Sequence, residues 1–366
     1  MAPALRPTVA EIRLSAVRKN LKKLQKTAAP ARLLFVVKAN AYGHGASELA
    51  GLAEREGLAW GFGVSSVEEG LALRASGIKS PVLVLGSLYP FESFVEAINA
   101  GLTVTIASLD AARQVIEAAG KLGKKALCHI KLETGMGRIG ARKPSVLKIY
   151  DELSSSGAVC TEGLYTHLSS ADTDPEYTGR QLSIFSETAA ELELRGARGL
   201  MLHAANSCAA MNLPVSRMDL VRCGIAAYGL ADGFEPAMTL KTRIVFIKNV
   251  REGAFISYNK SYRADGNMKI ATLPVGYGDG YIRRFSNRAE VLIAGRRCRV
   301  LGNVTMDMTM VDVTGVKDAA VGSEAVLLGR QGDDEITAGE LAGIAGTITY
   351  EIVTLVTSRV PRVYSE

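Results

Sequence analysis

Short apolar runs and longer amphipathic stretches alternate along the first two-thirds of the chain. The runs are LLFVVKAN from Leu33, WGFGVSS from Trp60, PVLVLGS from Pro81, TVTIAS from Thr103, LCHIKLE from Leu127, GLYTHLSS from Gly163, LMLHAAN from Leu200 and LVRCGIAAYG from Leu220. Between them, Val67–Ser76 and Leu109–Leu122 carry apolar residues at three- and four-residue intervals, the period of an amphipathic helix. Tyr177–Gly196 is a longer helical stretch rich in Glu, Leu and Ala. Runs that are apolar throughout, rather than alternating, suit strands covered on both faces. Eight of them alternating with helices over about 220 residues predict an α/β fold, a TIM-type (β/α)8 barrel, with a doubly wound parallel sheet as the alternative.

After about Pro236 the helical period fades. Short alternating runs follow (MTLKTRIVFIKNV, KIATLPVGYG, AEVLIAG, RRCRVLG, MTMVDVTG, SEAVLLG), separated by the turn signals GDG, AGRR and RQGDD. Alternation with period two predicts half-buried strands, here a mainly antiparallel β-domain interrupted by one short helix, Ala338–Ala345. The expected division is residues 1–236 for the barrel and 237–366 for the β-domain. Residues 1–13 are expected to be able to pair with the second domain.

Composition changes little in this picture. The 366 residues, 48% apolar and 22% charged, suit two globular domains with sizeable cores. The net charge of +6 is spread among acids with no basic tail or basic-aromatic module, so it reads as a solvated surface rather than a nucleic-acid face. Inward-aimed cations for a small anion remain compatible with it. Five cysteines, odd in number and without a CxxC pair, point away from a disulfide framework or zinc site and suit a reducing cytoplasm. The N-terminus has no apolar signal core, and no segment approaches about 18 apolar residues. A soluble, unexported protein is expected, with no membrane partner.

In a barrel of this type functional groups sit at the C-terminal strand ends. Strand one ends in Lys38, Asn40 and Tyr42, and strand five in Lys131, running on to Arg138. Strand six carries His167, strand seven His203, Asn206 and Ser207, and strand eight Arg222, Gly224 and Ile225. A single strand-end lysine is ordinarily a surface residue, and a single histidine a satisfied core residue. Cations and imidazoles recurring at the ends of apolar strands need partners or a ligand, because desolvating them is costly. No HExxH, carboxylate cluster or GxSxG is present, and GMGRIG is not a dinucleotide fingerprint. A barrel lysine can form a Schiff base with a phosphorylated aldehyde, and Ser207, Gly224 and Ile225 can offer a hydroxyl and backbone N–H groups to its phosphate.

These residues lie in motifs that resemble the alanine racemase family along essentially the whole chain: VVKANAYGHG, KLETGMGRIG, YTHLSSAD, HAANS, VRCGIAAYG, ISYN, PVGYGDGY, NVTMDM and TYEIVTLVTSRVPR, in the family's order. The resemblance implies a pyridoxal 5'-phosphate enzyme, a (β/α)8 barrel with a C-terminal β-domain, acting on alanine as a homodimer with shared active sites. It makes Lys38 the cofactor lysine and one acid/base group. Tyr258 is the other, supplied by the second subunit. Arg222 matches the arginine facing the pyridine nitrogen, and His167 the histidine linking it to the catalytic tyrosine. Tyr42, Asn206, Ser207, Gly224, Ile225 and Tyr350 match cofactor-site residues. Arg138, Met306 and Asp307 match substrate contacts, the last two given across the dimer, and Tyr277 a tyrosine at the substrate entrance. Lys131 matches a lysine that is carbamylated in some members, with a plain salt bridge as the alternative. Glu133 stands where Asp is common, and Thr305 where some members have Cys or Ser.

The same resemblance implies D-alanine supply for peptidoglycan. A serine-preferring or broader racemase is the alternative. A basic amino-acid decarboxylase would lack the ISYN tyrosine and the VRCGI arginine, and a non-catalytic carrier would not need the second domain. Racemisation removes the α-proton on one face and returns it on the other, which two bases accomplish without rotation of either. A free phenol titrates near 10, so positive charge from Arg222 relayed through His167 would help Tyr258 act as a base.

Overall fold

The computed structural model describes residues 5–366. Its contacts divide the described chain into two compact units, one comprising Arg18–Ala41 and Gly45–Ala227, the other residues 5–17, Tyr42–His44 and Tyr228–Glu366.

The first unit is the barrel. Its eight strands are Arg32–Val36, Gly61–Val64, Val82–Val84, Thr103–Ile106, Ala126–Lys131, Val159–Tyr165, Met201–His203 and Leu220–Cys223. Each pairs in parallel with the next from the first through the seventh, and strand one pairs with strand eight. The barrel expected from eight apolar runs is therefore observed. Strands two, three, four and eight are buried at every position, so covering both faces removed the polar alternation that a one-sided sheet would show. Strands seven and eight share no full ladder. Asp219 joins them, its N–H donating to the Leu202 carbonyl (3.1 Å) and its carboxylate accepting the Leu202 N–H (2.8 Å). The Arg222 N–H donates to Ala205 (3.0 Å), which aligns Arg222 with the end of strand seven.

Helices cover the barrel where the period indicated, at Val67–Ala75, Leu109–Leu122 and Pro175–Leu194. Ser66, Ser108 and Asp174 cap them with side-chain oxygens that accept N–H groups of the first turn. Val67–Ala75 and Leu109–Leu122 each end near a residue of small size, Ser76 and left-handed Gly123.

The second unit is mainly antiparallel, as its alternating runs indicated. Its largest sheet runs in the order Arg296–Arg299, Glu290–Ile293, Glu324–Gln331, Met238–Arg243, Val9–Arg13, Arg362–Ser365, with Asp334–Ile336 alongside Glu324–Gln331. Only the pairing of Val9–Arg13 with Arg362–Ser365 is parallel in this sheet. Phe246–Val250, Met268–Leu273 and Thr309–Asp312 form a second sheet around Ile270, Met268 and Leu301. Among the described residues of this unit two α-helices are present, not one. Thr349–Thr354 follows Ala338–Ala345 after a left-handed Gly346. Six residues, TYEIVT, are too few to show a 3.6-residue period, and four β-branched residues, Thr349, Ile352, Val353 and Thr354, weaken the helical propensity.

Candidate functional site

The barrel unit gathers most of the strand-end groups. Lys38 follows the first strand and opens an unusual turn: Ala39 (φ 51°), Asn40 (53°), Ala41 (54°) and Tyr42 (52°) are all left-handed. Such a run costs L-residues roughly 1–2 kcal/mol each, less for Asn, so it needs anchors. Ala41 N–H donates to the Val37 carbonyl (2.7 Å), Gly45 N–H to the Asn40 carbonyl (2.9 Å), and Ala46 N–H to the Asn40 side chain (2.9 Å). Ala39 N–H donates to Glu69 (2.6 Å). Lys38 is half-buried. Burial, then the charge of Arg138, hold its amine below the ordinary lysine range, against an upward pull from Glu69.

Arg222 is the hub. It is 4% exposed, and its guanidinium donates to the carbonyls of Thr166 (2.7 Å), His203 (3.0 Å) and Ala204 (3.0 Å). It also meets His203 Nδ1 at 3.0 Å and, more weakly, His167 Nδ1 at 3.4 Å. A guanidinium only donates, so both Nδ1 atoms accept and both imidazoles carry their proton on Nε2. His203 Nε2 therefore donates to His129 Nδ1, 2.8 Å away. Burial first, then Arg222, depress all three histidines: His129 and His167 to about 3, and His203 well below its usual value. They are neutral at physiological pH. Arg222 itself is lowered to about 10 by burial and stays protonated.

Tyr165 forms the wall of this cluster. Its ring stacks on His203 (4.7 Å, 9°), with Arg222 and Lys131 each 5.2 Å from the ring centre. Its hydroxyl pairs with Thr105 at 2.7 Å. Gly163 leaves room for His129, since a Cβ there would lie 2.7 Å from Nδ1. Lys131, the last residue of strand five, is 4% exposed. Burial, then Arg222 and Arg138, bring its amine down to about 7. No carboxylate forms an ion pair with it among the described residues; Glu133 instead accepts the N–H groups of Gly135 and Gly137. That loop leads to Arg138, which is exposed.

Two further strand ends present hydroxyl and amide groups. Asn206 caps the helix Ser207–Asn212 by accepting the Ala209 N–H (3.0 Å). Buried Ser207 accepts the Gly224 N–H through Oγ (3.1 Å), leaving its own hydroxyl hydrogen to donate elsewhere. Ile225 opens the 3-10 turn that follows.

The remaining candidates belong to the second unit. Tyr42 packs on Tyr228 (5.0 Å) and Tyr350 (5.9 Å), and burial raises its phenol pKa above the usual range. His44, which follows, is fully buried, stacks on Tyr228 at 4.6 Å and bonds to the Tyr42 carbonyl (2.9 Å). Tyr258 is 69% exposed, in a turn with left-handed Ser257, Asn259 and Lys260. Asn303 holds its carbonyl (3.0 Å). Met306 and Tyr277 are also exposed, and the two segments are stitched by Tyr277 N–H to Thr305 (3.0 Å) and Gly278 N–H to Met306 (2.9 Å). Asp307 pairs with Arg359 (2.7 Å). Thr305 closes the turn, its Oγ accepting the Met308 N–H (3.1 Å) and donating to the Met308 carbonyl (2.8 Å). A serine could do the same, which gives this departure from the family pattern a local reason.

Several residues of the barrel site carry no sequence-level expectation. His129 and Tyr165 lie inside apolar runs. Gln181 is fully buried on the helix Pro175–Leu194, where it bonds Ser169 N–H (3.0 Å), Thr134 (3.1 Å) and the His167 carbonyl (3.2 Å). It thereby ties the loops after strands five and six. The available signal was a glutamine among Thr178, Leu182, Phe185 and Thr188 on the buried helix face.

Residues 12–232 match the family model described as "Alanine racemase, N-terminal domain", and residues 237–364 the one described as "Alanine racemase, C-terminal domain". The chain is 46% identical over 370 residues to the alanine racemase of Symbiobacterium thermophilum, covering 98% of this chain and 97% of that protein. It is 40% identical over 375 residues to that of Clostridium perfringens, covering 99% and 96%. Among solved structures, alanine racemase from Streptomyces coelicolor superposes with a TM-score of 0.95 at 36% identity, with both chains covered completely. That of Bacillus anthracis with bound L-Ala-P gives 0.94 at 34% identity, covering 100% of this chain and 96% of that one.

Proposed function

Because the chain belongs to the alanine racemase family of isomerases, we propose that it interconverts L- and D-alanine with pyridoxal 5'-phosphate, using Lys38 and Tyr258 as two bases. The observation that carries this reading is the strand-end cluster of Lys38, Lys131, His167 and Arg222 in a chain that matches the family over its length. The donor set suits the cofactor. Lys38 offers an amine held below its usual range, Ser207 a hydroxyl hydrogen oriented by the Gly224 N–H that its Oγ accepts, and Arg222 a guanidinium whose own bonds all go to carbonyls and imidazoles. Asn206, Ile225, Tyr42 and Tyr350 are assigned to the same cofactor by the family resemblance, and Arg138, Tyr277, Met306 and Asp307 to the substrate.

When bound, pyridoxal phosphate withdraws electrons from the substrate Cα and acidifies its proton. The Lys38 amine takes that proton in its neutral form and returns one from its ammonium form, on one side of the substrate. Tyr258 of a second copy does so on the other; its exposure, with that of Met306 and Met308, supports a homodimer in which these residues meet the neighbouring site. Neutral His167 carries its proton on Nε2 and can donate it to a phenolate oxygen, which favours the charged form of that tyrosine. Arg222 donates and cannot accept, so a ring nitrogen facing it stays unprotonated.

Among the described residues no helix is long and apolar enough to cross a membrane, which is compatible with a cytoplasmic enzyme. Supply of D-alanine for peptidoglycan is the purpose we infer. The test is incubation with L-alanine in deuterium oxide. Loss of optical rotation with α-deuteration and no CO2 is expected; release of CO2, or no turnover, overturns the proposal. Lys38→Ala must abolish both turnover and the visible cofactor band.

A further inference from the structure

The helix Val67–Ala75 begins with Ser-Val-Glu-Glu, the spacing of a capping box from Ser66 to Glu69. Half of that box is present: Ser66 Oγ accepts the Glu69 N–H, at 3.4 Å. In the usual arrangement the glutamate side chain would return to the N–H of the capping residue itself. Glu69 instead spends both oxygens elsewhere. Oε2 accepts the N–H (2.8 Å) and hydroxyl (2.9 Å) of Ser65, and Oε1 accepts the N–H of Ala39 at 2.6 Å.

Ala39 is the residue after Lys38 and the first of the four left-handed residues. A left-handed turn of non-glycine residues persists only where its surroundings over-determine it. The C-terminal part of this turn has the Asn40 contacts to Gly45 and Ala46. At its start, beside the lysine, the bond from Ala39 N–H goes to the carboxylate of Glu69. A charge-assisted bond to a carboxylate is short and strong, and this one crosses from the second strand-end to the first.

We propose that Glu69 is a positioning residue for Lys38: by holding the Ala39 N–H it fixes the left-handed turn that aims the lysine amine. This rests on Lys38 being the base assigned above. The carboxylate also acts on the amine through space, raising its pKa against burial and Arg138. The other charged or titratable neighbours coupled to Lys38 are Lys131 and His167.

The test uses Glu69→Gln and Glu69→Ala, with Ser66→Ala as a control that weakens the helix start alone. In the cofactor-free protein, lysines are labelled by reductive methylation with 13C-formaldehyde, and the Lys38 resonance, identified by its loss in Lys38→Arg, is titrated by NMR. In the loaded enzyme, kcat and KM for L-alanine are measured. The expected result for both Glu69 variants is a Lys38 midpoint lower by about half a pH unit or more. A kcat roughly tenfold lower, with KM changed by less than about threefold, should accompany it, since a misplaced base slows proton transfer rather than binding. Ser66→Ala should lower the thermal midpoint and leave the titration and kcat unchanged. The proposal is wrong if the midpoint or kcat is unaltered in both Glu69 variants, or if Ser66→Ala reproduces their effects. If the wild type does not racemise alanine, the functional reading fails, while the Lys38 titration still decides whether Glu69 governs that amine.

Discussion

Lys131 offers a prediction whose size follows from its surroundings. With its amine near 7 rather than the ordinary 10.5, about nine-tenths of it is neutral at pH 8, against about 0.3% of an unperturbed lysine, roughly a 300-fold difference. Only a neutral amine attacks CO2, forming a carbamate and releasing a proton. The product carries a negative charge beside Arg222 and Arg138, the cations that depress the amine. Lys131 should therefore be carbamylated in the presence of bicarbonate. Protein equilibrated with 13C-bicarbonate should show a carbamate resonance that grows between pH 7 and pH 8 and is missing in Lys131→Arg. Enzyme stripped of CO2 should lose activity and regain it with bicarbonate, while Lys131→Arg should be indifferent. Linkage adds a check on the pKa itself. The unfolded chain holds the extra proton between about pH 7 and 10.5, so this group penalises folding fully below pH 7 and the penalty fades as pH rises through that window. In carbon-dioxide-free buffer, Lys131→Met should flatten that part of the stability profile. Absence of any Lys131-dependent resonance at pH 8 in excess bicarbonate would falsify the carbamate, and an unchanged stability profile would refute the lowered pKa.

Gln181→Met keeps the volume of a fully buried side chain but strands the Ser169 N–H and His167 carbonyl. A loss of about 1–3 kcal/mol is expected from hydrogen bonds lost at two part-buried groups, read by thermal unfolding of the cofactor-free protein; a midpoint within error of wild type would count against it. Gly43→Ala would place a Cβ 2.3 Å from the Val353 carbonyl at a residue with φ +82°. It should destabilise by about 2–4 kcal/mol in urea titration, and a neutral outcome would mean that segment shifts freely. Tyr258→Phe should leave the thermal midpoint nearly untouched, because the change removes only the hydroxyl and keeps the ring. Racemisation should fall by about 10²–10⁴-fold, the usual worth of one acid/base group. Near-normal turnover would remove Tyr258 from the chemistry.

The pattern of residues was enough to determine eight parallel strands alternating with helices, because runs buried on both faces leave a signal of length and apolarity that needs no partner to be read; the choice of barrel over doubly wound sheet came from the pairing of the first strand with the eighth. It also determined which strand ends carry charge, since a lysine or arginine at the end of an apolar run stands out locally, as Lys38, Lys131 and Arg222 do. The alternating texture after Pro236 indicated the second domain but not the helix Thr349–Thr354, which is too short to display a period. Tertiary structure alone decided the rest. The chain His129–His203–Arg222 joins residues 74 and 19 positions apart, and its tautomers follow only from a donor-only guanidinium meeting two ring nitrogens. The left-handed turn at Ala39–Tyr42 contains no glycine before Gly43, so nothing in its composition announced a positive φ; it persists because Asn40 and Glu69 hold it. Glu69 read locally is a helix-capping glutamate, and Gln181 a polar intruder on a buried face. Their work is visible only when strand ends distant in sequence are brought within hydrogen-bond reach, because a hydrogen bond depends on where two groups are in space and leaves no periodic trace along the chain.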